Sequence, residues 1–378
     1  MQGVPVIVGM VGSGFAARLH ASAWQQVRGV PVVVAAVTSV RLDRAAAFAS
    51  VWGIDRTYAR LEELLADPAI TVVDLCVPNY LHHPLALAAL ASGKHVVVEK
   101  PLTGCFNGSI DPVQRRSLAV AAADELVAAA DSAGRWLCYA ENWVYAPPLA
   151  RTRRLLSVAG GTVLRIVGEE SHSGTHSEPN KRWETAGGGC LLGKGCHPLA
   201  AALWLKAPVR AASVVASVAS LTKVPSFVAE EPKYLRTGYQ DVEDWGSMIV
   251  TFEDGTVAQI TAADTTLGGV RNQLTVFGSR TVVEANLNPS NTVRAYAPDA
   301  SIFATEYLVE KLETSAGWSS PAPDEDWVQG YHHEVQDFAE AVADGHPPVA
   351  DGRLGRDVVE VIYAAYQSAA EGRRVTIR

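Results

Sequence analysis

The stretch GKHVVVEKP, residues 93–101, decides how the rest of the chain is organised. Its run of valines is typical of a buried strand, and the run ends in the acid Glu99, the base Lys100 and a proline. Proline restricts the residue before it to extended geometry, so we expect Lys100 at the carboxyl end of a strand. Open parallel sheets bind their ligands at that end. The stretch therefore predicts that Lys100 lies beside a ligand.

The composition is that of a globular protein of 378 residues, which is long enough for two domains. Apolar residues make up 48% and charged residues 19%, and the net charge of −8 argues against a nucleic-acid or anionic membrane surface. No apolar run approaches the length of a membrane span, and the first residues lack the features of a signal peptide. The five cysteines have no CxxC spacing and leave one unpaired, which suits a reducing compartment. These features predict a cytoplasmic protein that binds neither nucleic acid nor membrane.

A glycine-rich turn follows the first predicted strand, residues 4–8. It contains the pattern G-x-G-x-x-A, formed by Gly12, Gly14 and Ala17, at the start of a helical segment. The first glycine permits a tight turn, the second lets the backbone approach a pyrophosphate, and a small third residue lets helix and strand pack. The free N–H groups of the new helix favour a phosphate there over a plain turn. The candidate cofactor contacts are Gly9, Gly12, Gly14, Phe15 and Ala16.

The end of the second predicted strand, residues 30–37, bears on the choice of cofactor. An acid at this point would accept hydrogen bonds from a ribose 2′-hydroxyl, and the chain has none. Ser39 and Arg41 would instead hold a 2′-phosphate through charge-assisted hydrogen bonds. In the alternative interpretation, Arg41 is a solvated residue before the helix at 43–50. The sequence therefore gives NADP only a slight preference over NAD.

Strands and helices alternate through the first part of the chain. A helix at 61–65, a strand at 71–77 and a helix at 85–91 lead to the opening stretch, and this alternation predicts a doubly wound parallel sheet. A helix at 118–133 and a strand at 136–140 complete a dinucleotide-binding Rossmann domain of residues 1–141. Three further candidate cofactor contacts follow the strand at 71–77, namely Pro78, Asn79 and His82.

The loop after Pro101 is unusually long and rich in glycine, up to about residue 115. A long loop at the carboxyl end of a strand acts either as a lid over a site or as surface decoration. The sequence leaves both interpretations open.

From residue 142 to residue 378 the pattern predicts a second domain. After a helix at 147–158, a strand at 162–173 places Gly168, Glu170 and His172 on one face. Strands at 245–252 and 256–262 form a hairpin with the two-residue turn Asp254-Gly255, and we expect strands at 274–277, 281–285 and 292–296 to extend it. Helices at 331–343 and 354–370 close the chain. The prediction is an α/β domain with a large open, mainly antiparallel sheet.

A second glycine-rich stretch, GGGCLLGKGCHP, covers residues 187–198. Its glycines mark a place where backbone must approach another group closely. Pro198 lacks the N–H that would bond to Lys194, so we expect a distorted helix there. His197 titrates near neutrality and can exchange a proton with a hydroxyl group. Taken alone, His197 is equally explained as a capping or packing residue.

Several polar residues outside these motifs are candidates for a substrate site. His172, His176, His197 and Glu170 would also suit a metal ion, but their spacing matches no metal motif, and we expect no metal. His332 begins a helix that would reach the site, or lies in a surface turn. The candidate substrate contacts are Lys100, Asn142, Glu170, His172, Lys194, His197 and His332.

Taken together, these motifs resemble the Gfo/Idh/MocA oxidoreductases, the family of glucose–fructose oxidoreductase and inositol dehydrogenase. The matching motifs are the G-x-G-x-x-A turn with His20, Pro78-Asn79 with His82, Glu99-Lys100-Pro101, Gly187-Gly188-Gly189 with Gly195-Cys196-His197, and the closing stretch at 364–375. They span essentially the whole chain.

The resemblance implies hydride transfer between a nicotinamide and a carbinol carbon of a sugar, a polyol or a derivative, in a homodimer or homotetramer. It makes Lys100 and His197 the catalytic residues, with Glu99 and Lys100 beside the cofactor. One position departs from the family pattern, because the aspartate expected four residues before the histidine is Gly193. Another group, with Glu170 as the candidate, would then have to orient His197.

The main hypothesis is an NAD(P)-dependent dehydrogenase or reductase acting on CH–OH groups. Lys181, Arg182 and Lys194 add positive charge and support an acidic substrate as a weaker form of it. One alternative uses the nicotinamide transiently, so that a neighbouring sugar bond is eliminated or hydrolysed. Another is a catalytically silent, cofactor-dependent sugar sensor, which Gly193 motivates.

Overall fold

The computed structural model describes residues 5–288, 293–322 and 324–377, and their contacts divide the chain into two compact units. The N-terminal unit holds the described residues through Cys105, with Ser117–Tyr145 and Gly330–Val359. The C-terminal unit holds the remaining described residues. The boundary at residue 141 stays a prediction. The contact-based division differs from it because a late helix, Tyr331–Asp344, packs on the first helix of the chain.

The N-terminal unit is built on a six-stranded parallel sheet in the order β3-β2-β1-β4-β5-β6. The strands are β1 Val6–Val11, β2 Val32–Thr38, β3 Arg56–Tyr58, β4 Val72–Leu75, β5 His95–Glu99 and β6 Leu137–Ala140. Its helices are α1 Phe15–Gln26, α2 Leu42–Trp52, α3 Leu61–Ala66, α4 His82–Ala91, most of α5 Pro112–Ala133, and α12 Tyr331–Asp344. The predicted doubly wound Rossmann sheet is confirmed, and its strand order reverses at β1 and β4, where such sheets bind dinucleotides.

The apolar strands lie in the interior of this sheet. Val96, Val97 and Val98 of β5 are completely buried, as expected for a parallel strand covered on both faces. The prediction missed β3, because three residues at a sheet edge carry no periodic pattern. It also began α5 six residues too late, because Pro112 is well suited to a first helical turn although polar residues follow it.

The long loop after Pro101 is partly packed and partly exposed, and both interpretations left open by the sequence stay predictions. Phe106–Arg116 groups with the C-terminal unit. A side chain at Gly108 would come within 3.0 Å of the Trp183 ring, and the Arg115 guanidinium lies 4.3 Å from the centre of that ring. This part of the loop is therefore packed within its unit.

The C-terminal unit is built on a seven-stranded sheet in the order β12-β11-β7-β10-β9-β8-β15. Every neighbouring pair is antiparallel except β7 and β10, so the prediction of a mainly antiparallel sheet is confirmed. The strands are β7 Val163–Ser171, β8 Ala211–Ala219, β9 Trp245–Phe252, β10 Val257–Ala263, β11 Arg271–Gly278, β12 Val282–Asn286 and β15 Val375–Thr376. The prediction missed β8, whose small residues resemble no buried run, and the two-residue β15.

Two details of this sheet correct the sequence prediction. The β9–β10 turn holds three residues, 253–255, instead of two, because the N–H of Phe252 donates to the oxygen of Thr256 (2.9 Å). The strand at 292–296 does not extend the sheet. Its described part, β13 Ala295–Ala297, pairs with β14 Gly317–Ser319 in a separate two-stranded sheet, while Thr292 lies outside the described residues. A cross-strand aromatic pair, Tyr296 and Trp318, stabilises that small sheet.

The C-terminal unit contains several helices. They are α6 Pro147–Ala159, α7 Trp183–Ala186, α8 Cys190–Gly193, α9 Cys196–Lys206, α10 Pro225–Val228, α11 Glu325–Val328 and the end of α13 Gly352–Glu371. Of these, α6, α8 and α9 pack against its large sheet. Within the described residues, no helix combines the length and the apolar character needed to cross a bilayer. All five cysteines are free and buried.

Candidate active site

The glycine turn between β1 and α1 has the geometry of a phosphate cradle. Gly12 has φ +109°, and a Cβ there would lie 2.1 Å from the backbone oxygen of Cys76, so no other residue fits. At Gly14, the residue that caps α1, a Cβ would meet nothing within 4 Å. The first turn of α1 carries no acid and no side-chain cap, so no capping side chain occupies its free N–H groups. The turn therefore fits a dinucleotide pyrophosphate.

The other residues of the turn divide between packing and exposure. Phe15 is 58% exposed, while Ala17 is fully buried, as the packing role of the third small residue requires. Gly9 lies inside β1, where a Cβ would come within 2.9 Å of Leu64. The structure therefore gives Gly9 a packing role, in place of the predicted contact with the cofactor.

The end of β2 holds the residues that were expected to choose between NAD and NADP. The hydroxyl oxygens of Ser13 and Ser39 lie 3.0 Å apart, which joins this end to the glycine turn. Arg41 donates through Nε to Asp43 (3.0 Å), and a second contact joins the same two side chains. Both side chains are more than half exposed. The guanidinium is therefore paired, but only through an exposed ion pair, which is worth little in water.

His82 ties together the segments that follow β4 and β5. It is completely buried, and its ring nitrogens lie 2.7 Å from the carbonyl oxygen of Pro101 and 2.9 Å from that of Val77. Both nitrogens are thus engaged by backbone, so the structure gives His82 a positioning role in place of the predicted contact with the cofactor. Pro78 and Asn79 are only partly buried after β4, as expected for cofactor contacts.

Lys100 follows the last residue of β5, at the carboxyl edge of the sheet. Its backbone N–H donates to the Glu99 carboxylate (2.9 Å), and its side chain is partly buried. Burial alone would raise the pKa of Glu99, but the hydrogen bond and charge of His20, with the charges of Lys100 and His82, hold that pKa below its ordinary value. Glu99 is therefore ionised beside Lys100.

The sequence analysis quoted His20 as part of a motif but did not see its partners. Nδ1 of His20 lies 3.0 Å from each oxygen of Asp74, and Nε2 lies 3.3 Å from Glu99. Trp24 donates to the same Asp74 carboxylate (2.8 Å). Burial would lower the pKa of His20, but Asp74 outweighs it and holds that pKa well above its ordinary value. An acid inside the apolar strand β4 was the available signal, because a buried charge needs a partner.

In the C-terminal unit, His197 on α9 lies beside Glu170 on β7. Nε2 of His197 is 3.7 Å from the Glu170 carboxylate, and both residues are buried. A Cβ at Gly168 would come within 2.7 Å of Pro198. The absence of a side chain at Gly168 therefore allows α9 to pack close to β7. The structure thus places the candidate carboxylate next to the histidine. At Gly193 a Cβ would meet nothing within 4 Å, so an aspartate would fit there as well.

Lys194 lies at the break between α8 and α9, which confirms the predicted distortion. Its carbonyl oxygen accepts from the N–H of His197 (3.0 Å). Its ammonium lies 2.6 Å from Asp264, and both side chains are buried. Nδ1 of His172 accepts from the N–H of Gly174 (3.0 Å) and lies 3.7 Å from the same Asp264. Lys194 and His172 are therefore bound to protein partners, and Lys194 is not the source of free positive charge that the sequence suggested.

The other two cations behind the acidic-substrate hypothesis are also paired. Lys181 lies 2.7 Å from Glu178, and Arg182 lies 2.9 Å from Glu184. Glu178 and Glu184 are both more than half exposed, so these pairs are weak, and the acidic substrate stays the weaker form of the hypothesis. In the N-terminal unit, Asn142 is buried in the turn Asn142–Tyr145, and His332 is the second residue of α12 instead of part of a surface turn.

The triple glycine at 187–189 leaves room for Glu243 and Tyr366. The sequence analysis identified neither residue. A Cβ at Gly189 would lie 2.0 Å from the backbone oxygen of Glu243. The Glu243 carboxylate accepts from the N–H groups of Gly189 and Leu191 (3.0 Å each) and from the Tyr366 hydroxyl (2.8 Å). Burial outweighs these bonds and raises the pKa of Glu243 to about 7. The glycines were expected to mark a close approach of backbone to another group. In the structure that group is Glu243, which anchors the start of α8.

The sheet order and the glycine turn define a dinucleotide-binding protein of the Rossmann class. A family described as oxidoreductases with an NAD-binding Rossmann fold matches residues 6–140, and the GFO/IDH/MocA C-terminal domain matches residues 153–284. The chain belongs to the GFO/IDH/MocA family of oxidoreductases. It is therefore an NAD-binding oxidoreductase of the dehydrogenase type that acts on CH–OH groups.

Characterised relatives cover nearly the full chain. A D-xylose 1-dehydrogenase (NADP(+)) of Haloferax volcanii is 28% identical over 91% of each chain, and a myo-inositol 2-dehydrogenase of Thermotoga maritima is 23% identical over 98% of each. Among solved structures, GenD2 from gentamicin A biosynthesis, in complex with NAD, has a TM-score of 0.83 and 28% identity over 100% of this chain and 98% of its own.

Proposed function

We propose that the protein transfers hydride between a nicotinamide dinucleotide and a secondary alcohol or ketone of a sugar, a polyol or a derivative. The observation that carries the proposal is the place of Lys100, directly after β5 and beside an ionised, largely buried Glu99. A lysine at the ligand-binding edge of the sheet is suited to hold a substrate hydroxyl, and its neutral amine form can take up the hydroxyl proton. The relatives named for xylose and inositol support this substrate class.

Lys100 and His197 share the proton chemistry in this proposal. A hydroxyl that loses hydride from its carbon must also lose a proton, and the acid–base pair provides that transfer. Glu170, 3.7 Å from His197, orients the imidazole and takes the place of the aspartate missing at Gly193. The contacts proposed for the substrate are those of Lys100, His197 and Glu170, with Asn142 and His332 as further candidates.

The dinucleotide is held by the turn of Gly12 and Gly14, by Phe15 and Ala16 at the start of α1, and by Pro78 and Asn79. When bound, its nicotinamide supplies the hydride acceptor or donor. The chain's own groups orient the pyrophosphate and the substrate hydroxyl. Ser39 and Arg41 remain the residues proposed to admit a 2′-phosphate, because an exposed ion pair such as Arg41–Asp43 is easily exchanged for one with a phosphate. NADP thus keeps a slight preference over NAD.

The alternative of a catalytically silent sensor was based on the aspartate missing at Gly193. Because Glu170 offers a carboxylate beside His197, that reason no longer applies. Transient oxidation followed by elimination or hydrolysis stays an alternative, and product analysis separates it from net oxidation. Cytoplasmic location and a homodimer or homotetramer stay predictions.

The deciding experiment is a deuterium-transfer assay with both cofactors. The purified protein is incubated with NAD or NADP and a panel of polyols and sugars, including xylose, myo-inositol and levoglucosan, each deuterated at a carbinol carbon. We expect one substrate to give a reduced nicotinamide one mass unit heavier, together with the matching ketone or lactone. A lyase or hydrolase product without accumulated reduced cofactor would support the alternative reaction. Tight cofactor binding without any turnover across the panel would overturn the proposal.

A further inference from the structure

Beneath the strand end that carries Lys100, the N-terminal unit buries an unusual number of ionisable groups. His20 on α1, Asp74 on β4 and Glu334 on α12 are each completely inaccessible, and the Glu99 side chain on β5 is only 13% exposed. Four separate elements therefore converge on one buried cluster. We call the four residues the His20 cluster.

The contacts within the His20 cluster form a chain that ends at Lys100. Asp74 binds one side of the imidazole through Nδ1, and Glu99 lies at the other side through Nε2. The second oxygen of Glu99 accepts the backbone N–H of Lys100 (2.9 Å). The orientation of Glu99, and with it the backbone at Lys100, thus depends on an imidazole held from behind by Asp74.

Glu334 is the member of the His20 cluster whose burial is not explained by a hydrogen-bond partner among the described residues. Among the described residues, neither oxygen of its carboxyl group has a hydrogen-bond partner, although the residue is completely buried. An ionised carboxylate in that state is very costly, whereas a protonated one costs far less. Burial, reinforced by the charges of Glu99, Glu141 and Asp74 against that of His20, raises the pKa of Glu334 well above its ordinary value.

A charge count shows why the fourth group should be neutral. With His20 protonated and with Asp74 and Glu99 ionised, the adjacent ammonium of Lys100 brings the total to zero. Glu141, which is also completely buried, adds a further negative charge nearby, and an ionised Glu334 would increase that excess. The buried negative charge is therefore smallest if Glu334 keeps its proton and His20 keeps both of its own.

We propose that His20 is a positioning residue for Lys100, acting as an imidazolium that holds Glu99, with Glu334 as a neutral acid that completes the buried cluster. The inference rests on the proposed function, because it assigns a second layer behind the catalytic lysine. It goes beyond that function in making α1 and α12 part of the catalytic apparatus.

The first arm of the test measures His20 directly and needs no substrate. In protein labelled with nitrogen-15 at histidine, NMR reports whether both ring nitrogens carry protons. The His20 signals are those lost in His20→Gln or moved in Asp74→Asn. We expect both nitrogens to be protonated at pH 7. A neutral tautomer at pH 7 would overturn the inference.

The second arm measures turnover with the best substrate of the panel. The groups that face Glu99 are His20, Cys76, His82, Lys100 and Glu334. Without the imidazolium the pKa of Glu99 rises, so the acid limb of the kcat profile should move up by about one pH unit in His20→Gln. We also expect kcat to fall about 10- to 100-fold, with the cofactor Kd within about 3-fold of wild type.

The matched control is Trp24→Phe, which removes a hydrogen bond to Asp74 but no charge from the cluster. We expect it to lower stability and to leave the pH profile in place. The inference fails if folded His20→Gln keeps the wild-type profile, or if Trp24→Phe moves the profile equally. Should His20→Gln not fold, Asp74→Asn replaces it, because it removes the charge that keeps the imidazole protonated. A wild type without turnover would count against the proposed function, while the NMR arm would still decide the inference.

Discussion

The two units solve the same electrostatic problem in opposite ways. In the N-terminal unit one cation, the His20 imidazolium, lies between the carboxylates of Asp74 and Glu99. In the C-terminal unit one anion, Asp264, lies beside the Lys194 ammonium at 2.6 Å and the His172 imidazole at 3.7 Å. The first arrangement leaves an excess of negative charge next to Lys100. The second leaves no carboxylate to spare, and His197 depends on Glu170 instead.

The comparison teaches that the identity of the buried cation decides how each cluster responds when the cation loses its charged partner. An imidazolium that loses its partner can release a proton near neutral pH at small cost. An ammonium holds its proton far more tightly, so burying it without a partner is severely destabilising. The His20 cluster can therefore respond to the loss of a charge by releasing a proton. The Lys194 ammonium cannot, and with Asp264 it fixes the break between α8 and α9.

The largest effect on stability should come from Asp264→Asn. It removes the carboxylate that lies 2.6 Å from the buried Lys194 ammonium, and we expect the free energy of unfolding to fall by about 3–5 kcal/mol. Asp74→Asn should cost less, because His20 can become neutral. Urea unfolding of both variants at pH 7.5 checks the order. Equal losses would remove the distinction between the two clusters.

Glu243 extends the comparison to a buried acid that is hydrogen-bonded by Gly189, Leu191 and Tyr366. Its pKa of about 7 lies above the ordinary value of 4.5, so between those values the folded state binds more protons than the unfolded state. Stability should therefore fall as pH rises from about 4.5 to 7, by roughly 3 kcal/mol from this group. Unfolding curves at pH 5 and pH 7 should show that Glu243→Gln loses this part of the slope. An unchanged slope would contradict the assignment.

Glu170→Gln tests whether a carboxylate from another strand has replaced the one missing at Gly193. We expect kcat to fall about 10-fold, because His197 loses the carboxylate that orients its imidazole. Gly193→Asp in the same background should restore part of the loss, since nothing obstructs a side chain at that position. The control is Glu169→Gln, whose carboxylate pairs with Arg271 instead (2.9 Å). Steady-state kinetics in which both glutamate variants behave alike would count against the role of Glu170.

The smallest effect is expected at the end of β2. Arg41→Ala should weaken NADPH binding about 3- to 10-fold and leave NADH binding unchanged, while Asp43→Asn should favour NADPH by freeing the guanidinium. Fluorescence titration of the reduced cofactors measures both. Equal changes for the two cofactors would show that Arg41 does not contact the 2′-position.

Local patterns were enough to predict most of the parallel sheet of the N-terminal unit. The parallel sheet, the glycine turn and the position of Lys100 each depend on residues close in sequence, so periodicity and proline geometry identify them. The cluster around His20 escaped prediction because its members come from four elements, and only the acid inside β4 hinted at it. Glu334 is more than 230 residues from Glu99 along the chain, and no pattern connects them.

The C-terminal unit was predicted less completely, for a physical reason. Antiparallel pairing joins distant segments, so the sequence suggested strands but neither β8 nor the separate sheet of β13 and β14. The charges of Lys194 and Arg182 were visible, whereas their partners were not. Glu170 was the exception, because period-two spacing placed it on the buried face of β7, where it reaches His197.

The most direct test of the central claim is the kcat of Lys100→Met on the substrate identified by deuterium transfer, measured beside the exposed control Lys223→Met. The account predicts a loss of about 1,000-fold or more for Lys100→Met, with cofactor binding retained, and no change for the control. Turnover of Lys100→Met within a few-fold of wild type would contradict it.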